Sequence, residues 1–370
     1  AICEAIQFLP ELQCDVLHCN DWQTALAPVF LREFYMSSDA CRNVKTVFTV
    51  HNVKFQGQYG DKVLGDILGL ADNPTAAGQL YCDRDSVNFM KGGLTYTDYI
   101  STVSRTYAEE IQYEYYGEHL DGLLRQRRKD LFGIVNGINN TIYDPKTDKE
   151  IYVNYDVKSA AEGKVDNKVR LQRELGLTES RRTPLVAMIT RLVPNKGIDL
   201  ITRIIDEMLE HENMQFVLLG TGEHDYEEWF KELAWRHPTK ASVNIRFSNQ
   251  LAQRIYAGSN IFLMPSTFEP CGLGQLIAMR YGSIPVVRET GGLKDTVVQF
   301  DRSDPDKGNG FLFYEYNAHE MMYAVKRALA VYENLREWRQ LVYTAMKSDY
   351  SWTRSAGEYK QLYERLQKKK

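Results

Sequence analysis

The chain has 370 residues, 44% of them apolar and 25% charged, enough to bury a substantial core and long enough for two domains. A formal charge of −4 excludes a nucleic-acid or anionic-membrane partner held by bulk electrostatics, so any phosphate must be bound locally. Six cysteines (Cys3, Cys14, Cys19, Cys41, Cys82, Cys271) stand scattered with no CxxC pair and no histidines at metal spacing, which argues against a disulfide scaffold or a zinc site and fits a reducing cytoplasm. No apolar run is long enough to span a membrane, and the first residues lack the pattern of a signal peptide.

Short runs rich in Val, Ile and Phe alternate with amphipathic stretches, the pattern of strand and helix units around parallel sheets, and the fold class is therefore α/β. Val16 to Cys19 reads as a strand ending at Asn20-Asp21-Trp22, with a helix from Ala25 to Phe34. The next strand runs from Val44 to Val50 and ends at His51-Asn52. Tyr99 to Val103 is a strand, after which Ser104 caps a helix from Tyr107 to Tyr115. Gly133-Ile134-Val135 is a further strand, ending at Asn136-Gly137. Each strand finishes on polar residues, and ligands of open α/β sheets sit beyond those carboxyl ends.

From Asp144 to about Asn167 the chain turns polar and includes Pro145, which reads as a connection between domains. A second series follows, with strands Leu185 to Thr190, Phe216 to Gly220, Ile245-Arg246-Phe247, Ile261 to Pro265 and Ile284 to Val287. The domains are read as 1–167, 168–350 and a C-terminal helix in 351–370 that packs back on the first. The basic end, Lys368-Lys369-Lys370, reads as a solvated terminus.

Candidate chemistry gathers at the strand ends. Arg191 and Lys196 stand five apart directly after a strand, where fixed cations can stabilise the charge of a departing diphosphate without a metal. In Pro265 to Leu276 a strand leads through a turn into a helix running to about Tyr281, with Pro270 in its first turn and Gly282 at its C-terminal cap. Glu269 either binds sugar hydroxyls or caps that helix. Thr290-Gly291-Gly292-Leu293 repeats the theme, although a double glycine also serves a plain turn. Gly220-Thr221-Gly222 lacks the third glycine of a dinucleotide fingerprint, which argues against a nicotinamide dehydrogenase and leaves open a loop near a nucleoside. His51, at a strand end, is a candidate sugar contact, and Asp21 is similar. No Ser/His/Asp order or paired-carboxylate motif supports hydrolysis.

Taken together, Asn20-Asp21-Trp22, His51 to Gly57, Asn136-Gly137-Ile138, Arg191 to Gly197, Glu269-Pro270-Cys271-Gly272-Leu273 and Thr290 to Leu293 resemble the bacterial glycogen and starch synthases, in order and over nearly the whole chain. The resemblance implies the GT-B arrangement of two Rossmann-like domains facing across a cleft. It also implies transfer of glucose from ADP-glucose to the non-reducing end of an α-1,4-glucan, with retention and with neither metal nor cofactor. Arg191 and Lys196 would then hold the diphosphate, and Glu269 with the N–H groups of Cys271, Gly272 and Leu273 would bind the donor glucose. His51 and Asn52 would contact the same sugar, and Asp21 would shape the acceptor side. Gln56, Asn136, Gly274, Gly291 and Gly292 complete the implied substrate-binding set, and Phe247 stands where the family places a ring on the nucleobase, unless it is a core residue.

The sequence departs from that family at Asn20, where a His often stands, at Asn139 in place of an Asp, and at Gly274 in place of a Thr or Ser. Nothing before Asp21 matches the family's Lys-Thr-Gly-Gly-Leu loop, so the resemblance implies an N-terminal domain truncated at its start. Two rival readings are another retaining GT-B transferase and a catalytically inactive glucan- or nucleotide-sugar-binding fragment. The first usually carries a second Glu eight positions after the first, where this chain has Ile277.

Overall fold

In the computed structural model, which describes residues 1–9 and 11–368, the chain forms two compact α/β units. One comprises residues 1–136 and 355–370, the other residues 137–354.

The first unit holds a parallel sheet of β1 (Val16–Asn20), β2 (Lys45–Val50), then β5 (Tyr99–Thr102) and β6 (Leu131–Gly133), in the order β1-β2-β5-β6. Between β2 and β5 a small antiparallel ribbon pairs β3 (Gln58–Gly60) with β4 (Ser86–Asn88). After Lys45, β2 is a continuous buried run of Thr, Val and Phe, as befits a parallel strand covered on both faces. The helix Trp352–Gln367 lays Leu362 and Leu366 against Val47, Tyr99 and Ile134 of this unit. Ser355 ties the helix start to the carbonyl of Val135 at 2.7 Å. Of the basic end, Lys368 is exposed, and Lys369 and Lys370 lie outside the described residues.

The second unit is a six-stranded parallel sheet: β7 (Leu185–Ile189), β8 (Gln215–Leu219), β9 (Ala241–Asn244), β10 (Ile261–Met264), β11 (Ile284–Arg288) and β12 (Phe311–Phe313). Their spatial order, β12-β11-β10-β7-β8-β9, is that of a dinucleotide-type Rossmann sheet. The order reverses between β7 and β10, and the crevice outside such a reversal is where ligands of these sheets bind.

Several sequence-based boundaries move. Residues 137–143, read with the first domain, and 144–167, read as a connection, belong to the second unit, and Ile138, Ile151, Tyr155 and Ala160 lie in its core. The polar residues that suggested a linker have local partners: Asp144 pairs with Arg280 at 2.9 Å and Asp148 accepts from Tyr281 at 2.6 Å. The strand read at Ile245–Phe247 is instead β9, because the ladder with β8 closes when Gly220 N–H donates to Asn244 O. Ile245 and Phe247 then fall in the following loop. The strand read at Gly133–Val135 starts earlier, at Leu131, and β12 escaped notice as three residues after a glycine-rich turn. Ser104 caps as expected, accepting from Tyr107 N–H at 2.8 Å, but its helix ends at Glu110. Pro270 precedes the helix Gly274–Arg280 by four residues instead of opening it, while Gly282 takes the left-handed conformation of a C-terminal cap at φ +69°.

Candidate active site

The loops after β7 and β10 flank the reversal of strand order and carry most of the candidate residues. After β7 the chain packs so tightly on Gly220 and Gly222 that a Cβ on either would meet Thr190 O at 1.8 Å or Leu192 O at 2.1 Å. Leu192 N–H donates to Thr221 O, Glu223 N–H returns to Leu192 O, and the Glu227 carboxylate accepts from Gly222 N–H at 2.8 Å. These two glycines therefore serve close backbone approach, and the amide that a phosphate would need is already taken.

Arg191 is exposed at the mouth of this loop and makes no side-chain hydrogen bond or ion pair among the described residues. The turn Pro194–Lys196 then ends in Gly197 at φ +70°, where a Cβ would meet Pro265 O at 2.2 Å. That contact seats the turn on the β10 loop and points Lys196 at Glu269.

Lys196 Nζ lies 2.6 Å from Glu269 Oε2, and Ser266 Oγ donates to the same oxygen at 2.9 Å. The two side chains are 17% and 10% exposed, so the pair is largely desolvated and neither partner is readily lost without cost. Glu269 does not cap the following helix, whose N-cap is Leu273 with no side-chain cap bond. The capping reading of this acid therefore falls away, and its carboxylate is held by Lys196 and Ser266. Ser266 went unremarked in the sequence, although it sits three residues before Glu269.

The turn between Glu269 and Gly274 is shaped by Gly272 at φ +70° and by Gln275, whose Nε2 donates to the carbonyls of Cys271 and Gly272. With the carbonyls so held, the N–H groups of Gly272 and Leu273 make no hydrogen bond among the described residues. Gly274, where a hydroxyl residue is usual, has Phe262 at 3.1 Å and Met264 at 3.3 Å from a would-be Cβ, which leaves little room for a side chain. Cys271 is buried and Leu273 is half-exposed.

Gly291 and Gly292 support this loop from behind. Gly292 N–H donates to Glu269 O at 3.0 Å, and Cβ atoms here would meet Glu269 O at 2.1 Å and Cys271 O at 2.0 Å. The amide of Gly292 is thus committed to the protein, donating to the Glu269 loop. Phe247 is 86% exposed, which rules out the core reading and leaves a ring facing solvent.

In the first unit, Asp21 adopts φ +56°, a left-handed conformation costly for a residue with a Cβ. Its carboxylate accepts from His51 N–H at 2.8 Å, and His51 Nε2 pairs with Asn20 Oδ1 at 2.9 Å. Asn20, a departure from the family pattern, is therefore what orients the imidazole. Asn52 accepts from Lys54 N–H at 3.0 Å, closing the turn after β2. Trp22 packs on Gly57, which is at φ +64° and would bring a Cβ to 2.5 Å from the indole. Gln56 is buried; it donates to Glu118 O at 2.8 Å and accepts from Asn88 and Gln58, so its amide is consumed in holding the loop. Asn136, the last residue of the unit's first segment, has a buried Oδ1 without a hydrogen-bond partner among the described residues.

Among the described residues no cluster of His, Cys, Asp and Glu could hold a metal ion, and no helix is long and apolar enough to cross a membrane.

Comparison with known proteins agrees with this fold. Residues 1–126 match the starch synthase catalytic domain family, and residues 176–343 match glycosyl transferases group 1. The glycogen synthase of Clostridium acetobutylicum is 49% identical over 363 residues, covering 98% of this chain and 75% of that protein. That of Bacillus anthracis is 48% identical over 366 residues, covering 99% and 76%. The catalytic domain of starch synthase IV from Arabidopsis thaliana, solved with ADP and acarbose, superposes with a TM-score of 0.86 at 36% identity, covering 95% of this chain and 73% of that one. A sucrose-phosphate synthase from Thermosynechococcus elongatus shares the fold at a TM-score of 0.58 and 19% identity. The chain belongs to the glycogen and starch synthase family of GT-B glycosyltransferases.

Proposed function

We propose that this enzyme transfers glucose from ADP-glucose to the non-reducing end of an α-1,4-glucan, with retention at the anomeric carbon and without metal or cofactor. The observation that carries the reading is the Lys196–Glu269 pair at 2.6 Å, held where the strand order reverses. A nucleotide sugar presents two features to such a pair. Its diphosphate matches the cations Arg191 and Lys196, and its glucose hydroxyls match the Glu269 carboxylate and the N–H groups of Gly272 and Leu273. Phe247 offers an exposed face on which a nucleobase stacks. The starch synthase IV domain was solved with a nucleotide and an oligosaccharide analogue, which supports the same two ligand classes here.

In the reaction so read, the bond between the anomeric carbon and the diphosphate breaks while the acceptor hydroxyl bonds to that carbon from the same face. The hydroxyl proton passes to the departing phosphate oxygen. The protein supplies no nucleophile; its part is fixed positive charge where negative charge develops, from groups already in place. Asp21, His51 and Asn52 serve the sugar and acceptor side, with His51 pre-oriented by Asn20 and Asp21. Among the described residues no two cysteines form a disulfide, which fits a cytoplasmic enzyme.

The test is incorporation of radiolabelled glucose into glycogen, with ADP-glucose and UDP-glucose offered in parallel. Preferential transfer from ADP-glucose is the expected result. Transfer from neither donor overturns the reading, and transfer from UDP-glucose alone overturns the choice of nucleotide.

A further inference from the structure

Lys196 and Glu269 sit on loops that leave different strands, and what fixes one loop against the other includes two residues at neither. Arg288, the last residue of β11, donates from Nη1 to Thr267 O at 2.5 Å. Thr267 N–H in turn donates to Asn195 O at 3.1 Å, directly before Lys196. The Arg288 guanidinium lies over the ring of Tyr316, with 5.7 Å from Cζ to the centroid. Tyr316, in the turn before the helix Ala318–Tyr332, donates from Oη to Asp199 Oδ1 at 2.5 Å. Asp199 stands in the first turn of the helix Ile198–His211, which begins right after Lys196-Gly197. The contacts close a ring through Arg288, Thr267, Asn195, the Lys196 turn, Asp199 and Tyr316.

Arg288 Nε is buried without a hydrogen-bond partner among the described residues. A buried donor left unpaired opposes its own placement, so the guanidinium is held there by Thr267 and Tyr316. Burial and the neighbouring Asp199 push the Tyr316 hydroxyl up to about 12, which keeps it a donor across the working pH range.

We propose that Arg288 and Tyr316 are positioning residues that act through Lys196, holding its turn against the loop of residues 265–269 so that the ammonium stands where diphosphate charge develops. Arg288 acts through its hydrogen bond to Thr267 O and its contact with the Tyr316 ring. The inference rests on the glucosyltransfer reading above.

The experiment is a kinetic cycle on the full chain, measuring kcat and donor KM with ADP-glucose. Arg288→Ala lowers kcat by about 10–100-fold, the scale of a small misplacement of a catalytic group, with donor KM moving by less than about 3-fold. Arg288→Lys, which can still donate to Thr267 O, recovers part of the loss. In a Lys196→Ala background Arg288→Ala adds less than about 2-fold, because the group it positions is gone. Where Arg288→Ala melts well below the wild type, Tyr316→Phe, which removes one hydroxyl, is carried through the same cycle. Equal fold-losses in both backgrounds overturn the proposal, as does a kcat unchanged in Arg288→Ala and Tyr316→Phe. A wild type that transfers no glucose overturns the functional reading and this inference together, whereas an active wild type with independent losses overturns this inference alone.

Discussion

The N–H of Gly292 donates to the carbonyl of Glu269 at 3.0 Å, so the carboxylate at the centre of the site is placed by the start of the helix Gly291–Thr296, which follows β11, and not by its own loop alone. The contact requires a residue without a side chain. A Cβ on Gly292 would lie 2.0 Å from Cys271 O and 2.5 Å from its carbon, both backbone atoms that cannot swing aside.

Gly292→Ala is therefore expected to displace the Glu269–Cys271 segment. ADP-glucose KM should rise by about tenfold, and the melting temperature should fall by several degrees, because overpacking against backbone costs about 1–3 kcal/mol. Gly357→Ala is the control: in the helix Trp352–Gln367 its Cβ meets nothing within 4 Å, and it should stabilise by about 0.5–1 kcal/mol with kinetics unchanged. Equal melting temperatures for Gly292→Ala and wild type would contradict the packing argument.

Lys196→Ala removes a preorganised charge and should lower kcat by about two orders of magnitude. It also leaves Glu269 largely desolvated with only the Ser266 hydroxyl. Glu269→Gln lowers activity by itself, and the double variant should lose less than the product of the two single losses, since the residues share one contact. Steady-state kinetics of the four proteins decide it; a strictly multiplicative double variant would show that the pair does not act as a unit.

Why some of this was legible in the sequence and some was not follows from where the partners lie. The strands of the second unit announce themselves because both faces of a parallel sheet are covered and the strands read as unbroken apolar runs. Their ends, and hence Arg191, Lys196 and Glu269, could be placed from that alone. The contact between Lys196 and Glu269 could not, because it joins residues 73 apart. Nor could the sequence show that Gln56 and Gly292 spend their amides on the protein. The same blindness produced the false linker at residues 144–167, whose Asp144 and Asp148 look solvated until Arg280 and Tyr281 are brought against them. Phe247 misled in the other direction: an apolar residue near Ile245 imitates a strand, yet it stands outside the sheet and exposed.

That exposure separates binding from stability. Phe247→Ala buries nothing less than the wild type does, so the melting temperature should stay within about 1 °C, the usual range for surface substitutions. Donor affinity should fall, because stacking a base on an aromatic ring is worth about 1–3 kcal/mol, or roughly 5- to 150-fold in Kd. Calorimetric titration with ADP and with glucose 1-phosphate distinguishes the contributions: ADP binding weakens and glucose 1-phosphate binding does not. If ADP binds the variant as tightly as the wild type, the ring does not meet the nucleobase.

In the first unit, His18 lies between Tyr363 Oη at 2.6 Å and Thr49 Oγ1 at 2.6 Å, and Thr49 is in turn 2.5 Å from Ser101 Oγ. Burial, with a smaller contribution from nearby His51, lowers its folded pKa from 6.5 to about 4. Above pH 6.5 the imidazole is neutral in both folded and unfolded chains, and its contribution to stability is complete. As the pH falls from 6.5 towards 4, the unfolded chain takes up a proton that the folded chain refuses, so stability is lost through that window. The loss is on the order of 3 kcal/mol at its limit. His18→Gln keeps a neutral donor and acceptor between the two hydroxyls and has no proton to gain. Melting temperatures at pH 7.5, 6.5 and 5.0 should therefore fall more steeply for the wild type than for the variant, with the gap opening only below pH 6.5. Parallel pH profiles would mean that His18 titrates in the folded enzyme as it does in the unfolded chain.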